Sequence, residues 1–285
     1  MDHVEFTVVV IKPDAIERGL ESLVTEEIGN ENLAARKVCD TSFSLAMVQL
    51  FYRWERIDNP PAIETYLCNR PLPVLVVYGV DAINKVLNVK KRLRIGLCIG
   101  RLKNLFHCSG TQPEAEWEYK LIRQQYIHMN TVNTEKKEKT NNQVEAIVFR
   151  QSPTSGIVEY LILKRNPQKG GFWQPVTGNV EVGEPFEMAA IREVREELGI
   201  KEILELIDTG FSFEFVDDGR KQFEKVFGVR VSTSQEITLS PEHTEFKWVP
   251  KEVALDVYLK YTGNKTGLTK LHEKLSGAGQ NGGGR

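Results

Sequence analysis

Uninterrupted apolar runs mark the chain at wide intervals. Phe6 to Ile11 and Val74 to Tyr78 are continuous and rich in β-branched residues, the pattern of strands buried on both faces. Ile16 to Ile28 places Leu20, Leu23, Val24 and Ile28 on one stripe and predicts a helix. Ala34 to Val38 with Thr41 to Leu45 predicts a strand region. Ala46 to Trp54, Ala62 to Leu67, Asp81 to Leu87 and Pro113 to Gln125 predict helices, with the Pro pair after Asn59 as a break. From Ile127 to Asn142 the periodicity stops and the residues turn polar and charged, which predicts a linker. Beyond it, Ala146 to Phe149 and Tyr160 to Leu163 read as strands. Phe211 to Phe215 and Phe223 to Val231 flank Asp217-Asp218-Gly219-Arg220 as a hairpin. Phe246 to Val249 is a short strand, and helical character begins over Lys251 to Leu259. The predicted organisation is two domains, 1–126 and 143–276, joined by the linker 127–142, with a disordered Gly-rich tail at 277–285.

Composition narrows the class. The chain has 285 residues, long for one domain and comfortable for two, and it is 41% hydrophobic and 27% charged, the balance of a soluble globular protein. A net charge of −2 supplies no broad basic field, so no nucleic-acid partner is expected. Cys39, Cys68, Cys98 and Cys108 form no CxxC pair, which suggests reduced thiols and a cytoplasmic protein. No apolar run is long enough to span a membrane, so no membrane partner is expected.

The chemistry concentrates in Gly178 to Ile200, GNVEVGEPFEMAAIREVREELGI. Pro185 suits the first turn of a helix, Phe186 to Leu198 holds no breaker, and Gly199 suits a left-handed stop. Glu193, Glu196 and Glu197 are spaced i, i+3, i+4 and share a face. Carboxylates packed in this way repel unless a cation sits among them, and oxygen donors of this kind suit Mg²⁺ or Mn²⁺. The alternative for the helix alone is a solvated surface with Arg192 beside Glu196.

This stretch resembles the Nudix signature G-x5-E-x7-R-E-U-x-E-E-x-G-U, with U apolar, at every position. Seven fixed identities at roughly 7% frequency each put chance agreement on the order of 10⁻⁸ per starting position. The resemblance implies an α/β/α sandwich over Gln143 to Leu275 that hydrolyses a nucleotide or other X-linked diphosphate. It implies Mg²⁺ (or Mn²⁺) held by Glu193, Glu196, Glu197 and the Gly178 carbonyl, with Arg192 orienting the glutamates and Glu184 supporting the loop. Glu197 or Glu242 takes a proton from water, and Lys164 and Arg165 meet phosphates. FWQPVTGNVEVGE and SPEHTEFKWVP are similar to the dATP and dihydroneopterin-triphosphate pyrophosphohydrolases, for which a monophosphate and pyrophosphate are the expected products. Dinucleoside polyphosphates and capped RNA stay open as substrates.

The N-terminal half carries a second resemblance. VVVIKPDAIERGL, RPLPVLVVYG and RIGLCIGRLKNLFHCSGTQPEAEWE look like nucleoside diphosphate kinase. That implies a ferredoxin-like fold, homo-oligomers formed through this domain, and a histidine that carries phosphate. On this match His107 is the phosphorylated residue, and Lys12, Tyr52, Arg94 and Asn104 contact the nucleotide. Ser109 and Glu118 hold the histidine. The chain departs from the family at His107-Cys108-Ser109-Gly110, where the usual motif is HGSD, and in a segment about ten residues shorter before Arg94. Lys85, Lys90 or Arg92 is expected to stand in for the missing phosphate ligands. Two readings stay open: an active kinase, or a nucleotide-binding and dimerisation module.

Overall fold

Apolar runs and Gly or Pro breaks set the elements of a computed structural model, which describes residues 3–52, 60–98, 100, 103–131, 141–152, 154–217 and 219–278. The chain divides into two units, Met1–Lys137 and Glu138–Arg285. The expected break at Asn59, the centre of the expected linker (132–140) and most of the expected tail (279–285) lie outside the described residues.

The first unit runs β1 (Val4–Ile11), α1 (Pro13–Glu17), α2 (Glu21–Gly29), β2 (Ala34–Ser42), α3 (Leu45–Phe51), α4 (Pro60–Leu67), β3 (Pro71–Val80), α5 (Ala82–Leu97), β4 (Phe106–Cys108) and α6 (Gln112–Thr131). Its four strands form one antiparallel sheet in the order β2-β3-β1-β4. Val9, Ile11, Val77 and Phe106 pack with Val24, Ile28 and Val86 as one core. The helix expected over Ile16 to Ile28 is two helices, because Gly19 adopts a left-handed φ of 64° that no helix can continue through. The helix expected to end at Leu87 instead continues through the basic stretch to Leu97, since Lys, Arg and Leu are good helix formers. Helix α6 runs five residues into the segment expected as a linker.

The second unit runs β5 (Asn142–Gln151), β6 (Val158–Arg165), a 3-10 turn (Pro167–Lys169), β7 (Trp173–Gln174), β8 (Val176–Asn179), α7 (Phe186–Leu198), β9 (Glu205–Asp217), β10 (Arg220–Arg230), β11 (His243–Pro250), α8 (Lys251–Val253), a π turn (Ala254–Tyr258) and α9 (Thr262–Ala278). The mixed sheet follows β11-β6-β5-β10-β9, with β7 on β6 and β8 on β5. β10 runs parallel to β5. Helix α7 buries Met188, Ala189, Ile191, Val194 and Leu198, and each large apolar side chain contributes about 1.5–3 kcal/mol by leaving water. Helix α9 supplies Leu268 and Leu271 to a core with Ile147, Phe149, Tyr160 and Val226. Among the described residues no helix is long and apolar enough to cross a membrane.

Two carboxyl groups lie inside this second core. Glu145 on β5 is 0% exposed and Glu224 on β10 is 3% exposed. Asn264, in the first turn of α9, donates its Nδ2 to Glu145 Oε2 at 2.5 Å. Burial pushes both pKa values up, that of Glu224 to about 7, and the neighbouring Glu224 charge raises Glu145 further. The folded chain therefore holds these protons more tightly than the unfolded chain does. Their stabilising contribution is complete below the ordinary glutamate pKa and is lost as the pH rises through about 7. Urea unfolding between about pH 5 and about pH 8 is expected to show stability falling with pH. Glu224→Gln is expected to flatten that slope, and an unchanged slope would assign the pH dependence elsewhere.

Candidate active site

The loop between β8 and α7 is closed by one buried carboxylate. Glu184 accepts the Glu181 N–H at Oε2 (3.0 Å) and binds Arg192 through both oxygens, Nε to Oε1 at 2.9 Å and Nη2 to Oε2 at 2.8 Å. Arg192 Nη2 also donates to the Asn179 carbonyl at 2.8 Å, and Nη1 donates to Glu193 Oε1 at 2.6 Å and Glu196 Oε2 at 3.2 Å. One guanidinium thus joins loop and helix. Burial works against its charge, but the hydrogen bonds and charge of Glu184, with those of Glu193, raise its pKa further. Helix α7 ends at Gly199, which is left-handed at φ 65°.

Gly178 has a steric reason to be glycine. A Cβ there would lie 1.9 Å from Glu193 Cδ and 2.1 Å from Glu193 Oε1. The Glu193 carboxyl group is therefore packed directly on the β8 backbone. Burial raises its pKa, with Arg192 opposing and Glu196 adding to the rise. Glu197 is buried deeper, and its Oε2 has no hydrogen bond. Burial, then the charges of Glu193 and Glu242, push its pKa up to about 8. Glu196 points outward, its side chain 61% exposed.

The segment before β11 docks on the end of α7. Thr238 N–H donates to the Leu198 carbonyl at 2.9 Å and Ser240 N–H to the Glu197 carbonyl at 2.8 Å, satisfying two helix-end acceptors. This places His243 against Glu197, with Nδ1 3.7 Å from Oε2. Both ring nitrogens of His243 are buried without a hydrogen bond. Burial, followed by the nearby Arg165, lowers its pKa to about 4. Glu242, the expected proton acceptor, is turned the other way. Its carboxylate pairs with Lys169 at 2.9 Å, which lowers its pKa. Lys164 pairs with Glu245 at 2.5 Å and sits over Trp173. Arg165 lies over Phe172, and its Nε has no hydrogen bond. Sequence reasoning missed His243. The available signal was the segment SPEHTEFKWVP itself, in which His243 follows Glu242 at the start of a strand.

Among the described residues no three His, Cys, Asp or Glu side chains converge on a metal position, and Arg192 holds Glu193 and Glu196. The donor set nonetheless fits a hard divalent cation. Glu193 is a partly buried and Glu197 a buried carboxyl group, both with raised pKa values, and Glu197 Oε2 has no hydrogen bond.

In the first unit a second cluster forms. Lys12 Nζ donates to Asn104 Oδ1 at 2.9 Å and stands 5.7 Å from the Tyr52 ring centroid. His107 Nε2 is 2.8 Å from Glu118 Oε1, and Ser109 Oγ donates to Glu118 Oε2 at 2.7 Å. Phe51 and Tyr52 stack edge-on to the His107 ring at 4.8 and 5.3 Å. Burial lowers the His107 pKa against the pull of Glu118. Lys12 falls to about 7, through burial and then the charges of Lys90 and Arg94. Lys90 lies over Phe106. Arg92, offered as a stand-in for the missing phosphate ligands, instead bonds Glu27 and Glu31 at 2.8 Å each. The sequence therefore brings Lys12, Tyr52, Asn104, His107, Ser109 and Glu118 together, with Lys90 and Arg94 as neighbouring charges.

Residues 141–269 match the NUDIX domain. Nucleoside triphosphatase NudI of Escherichia fergusonii is 34% identical over 125 residues, 38% of this chain and 88% of that protein. The asymmetrical bis(5'-nucleosyl)-tetraphosphatase of Caenorhabditis elegans is 29% identical over 113 residues, 39% of this chain and 80% of that one. An octanoyltransferase of Myxococcus xanthus is 34% identical over 113 residues, but the chain spans only 31% of its length. Among solved structures, a C. elegans Ap4A hydrolase binary complex aligns at 26% identity over 48% of this chain and 98% of that one, with a TM-score of 0.42. The Aquifex aeolicus nucleoside diphosphate kinase aligns at 22% identity over 42% of this chain and 94% of that one, with a TM-score of 0.36. The chain belongs to the Nudix family of hydrolases through its C-terminal half.

Gly178→Ala is expected to push Glu193 off the β8 backbone. The predicted cost is about 1–3 kcal/mol of stability, typical of forcing a methyl group into a packed site. Chemical denaturation of the two proteins measures it, and an unchanged midpoint would mean Glu193 relocates freely.

Proposed function

We propose that the C-terminal unit is a Mg²⁺- or Mn²⁺-dependent pyrophosphohydrolase of nucleoside triphosphates, releasing a monophosphate and pyrophosphate. The observation that carries this reading is Glu197, a buried carboxyl group with an unpartnered oxygen beside Glu193. Glu193, Glu196, Glu197 and the Gly178 carbonyl would hold the cation. When bound, it supplies the charge that offsets the polyphosphate and favours the ionised form of a water.

The remaining work falls to the chain. Arg192 and Glu184 fix the loop and the helix, so that Glu193 cannot swing away from Gly178. Glu197 accepts a proton from the attacking water at Oε1, leaving Oε2, the oxygen without a hydrogen bond, for the cation. Water adds to phosphorus in line as the bond to the leaving phosphate breaks. Arg165, whose Nε has no hydrogen bond, would meet a phosphate oxygen. Lys164 is tied to Glu245 and must give up that pair to do the same. Glu242 is the poorer proton acceptor, since Lys169 already holds its carboxylate.

A nucleotide substrate is supported by the names of two relatives, a nucleoside triphosphatase and a bis(5'-nucleosyl)-tetraphosphatase. The second keeps dinucleoside polyphosphates as the rival substrate class, and capped RNA shares the same linked phosphates. Glu197→Gln is expected to lower kcat about 10²- to 10⁴-fold, the usual cost of losing a general base. Steady-state assays with dATP test it, and near wild-type turnover would end the assignment.

For the N-terminal unit we propose a nucleotide-binding module of ferredoxin-like, nucleoside diphosphate kinase-like form that assembles as a homo-oligomer. The antiparallel order β2-β3-β1-β4 supports the fold. The Lys12, Lys90 and Arg94 charges, which oppose one another around a buried ammonium, support an anionic ligand. Glu118 engages His107 Nε2, which leaves Nδ1 as the nitrogen to attack a γ-phosphorus and expel a diphosphate. Incubation with γ-labelled ATP is expected to place acid-labile phosphate on His107 and none on His107→Ala. ATP binding without labelling would reduce the unit to a binding module.

A further inference from the structure

His243 is the feature of the second unit that hydrolysis at Glu197 leaves unexplained. Its side chain is 1% exposed, and neither ring nitrogen has a hydrogen bond. Buried imidazoles almost always engage at least one nitrogen, because an unpaired polar atom away from water costs about 1–3 kcal/mol. Its Nδ1 lies 3.7 Å from Glu197 Oε2, which also has no hydrogen bond, while the Arg165 guanidinium adds its charge nearby.

That separation decides between two relations. It is too long for a direct hydrogen bond, which needs about 2.7–3.2 Å. It suits two donors on one cation. With each donor about 2.0–2.2 Å from the ion, the donors stand no more than about 4.4 Å apart. The backbone holds the pair in this relation rather than leaving it to side-chain chance. Ser240 N–H is bound to the Glu197 carbonyl itself at 2.8 Å, and His243 N–H is bound to the Ser240 carbonyl at 3.2 Å. The ladder between β11 and β6 shifts register between His243 and Glu245, which turns the histidine inward. The adjacent carboxylate, Glu242, is removed from competition by Lys169.

We propose that His243 is a nitrogen ligand of the same divalent cation that Glu197 binds, so that the site is a mixed oxygen–nitrogen one rather than an all-carboxylate one. This rests on the reading of Glu197 as a cation ligand. An imidazole donor favours Mn²⁺ and later first-row ions over Mg²⁺, which prefers oxygen and water. The site is therefore built to hold Mn²⁺ more tightly than its carboxylates alone would.

The test is pulsed electron paramagnetic resonance on the full-length protein loaded with one equivalent of Mn²⁺, without substrate. The wild type is expected to show modulation from a directly coordinated ¹⁴N nucleus. His243→Gln is expected to lose that modulation and to weaken Mn²⁺ binding by about 10- to 100-fold. Glu197→Gln serves as the control for the cation site itself. Mn²⁺ bound in a Glu197-dependent way with no nitrogen modulation would overturn the role of His243 and leave the hydrolase reading standing. Nitrogen modulation that persists in His243→Gln would assign it to another histidine and also overturn the proposal. No Glu197-dependent Mn²⁺ binding would overturn both. Because the wild-type spectrum alone can refute the ligand, the test does not depend on the variant folding.

Discussion

The second unit's site depends on the ion pair between Arg192 and Glu184. Glu184 belongs to a loop and Arg192 to a helix, and their two parallel hydrogen bonds fix one against the other. The Glu184 side chain is 1% exposed, so removing Arg192 would leave a buried charge unpaired, at a cost of about 3–5 kcal/mol. The same guanidinium reaches Glu193 and Glu196. It therefore does more than brace the loop, since it also holds two carboxylates of α7.

Gly178 provides the matching constraint from the sheet. By having no side chain it lets the Glu193 carboxyl group rest on the β8 backbone. Glu193 is thus held between a strand and an arginine, while Glu197 is held by burial and by the segment docked on the end of α7. The two acids are differently exposed and differently partnered. That difference is what a site needs if one carboxylate is to bind charge while another moves a proton.

The C-terminal half was legible where identity and spacing coincide. Gly178, Glu184 and Arg192 could be placed from the chain because each is fixed by a steric or electrostatic need that few other residues meet. His243 could not be so placed. A single histidine carries no periodic signal, and its relation to Glu197 is made by hydrogen bonds between a loop and a helix end far away in sequence. Helix α9 was likewise hidden, since Gly263, Gly267 and Gly277 lower its propensity while close packing on β10 and Phe213 requires the first two to be small. In the first unit α5 runs past the expected end at Leu87, because its buried Val86 and Val89 and the helix-forming residues beyond them keep it helical. The opposite error occurred at Gly19, where one left-handed residue ends a stripe that the apolar pattern would continue.

The most direct test of the central claim is the position of the bond that breaks. Hydrolysis of dATP in ¹⁸O-water, with products resolved by ³¹P NMR, reports both the cleavage site and the phosphorus that water attacks. The account predicts monophosphate and pyrophosphate as the only products, with one ¹⁸O atom in one of the two. Diphosphate and orthophosphate as products would contradict it.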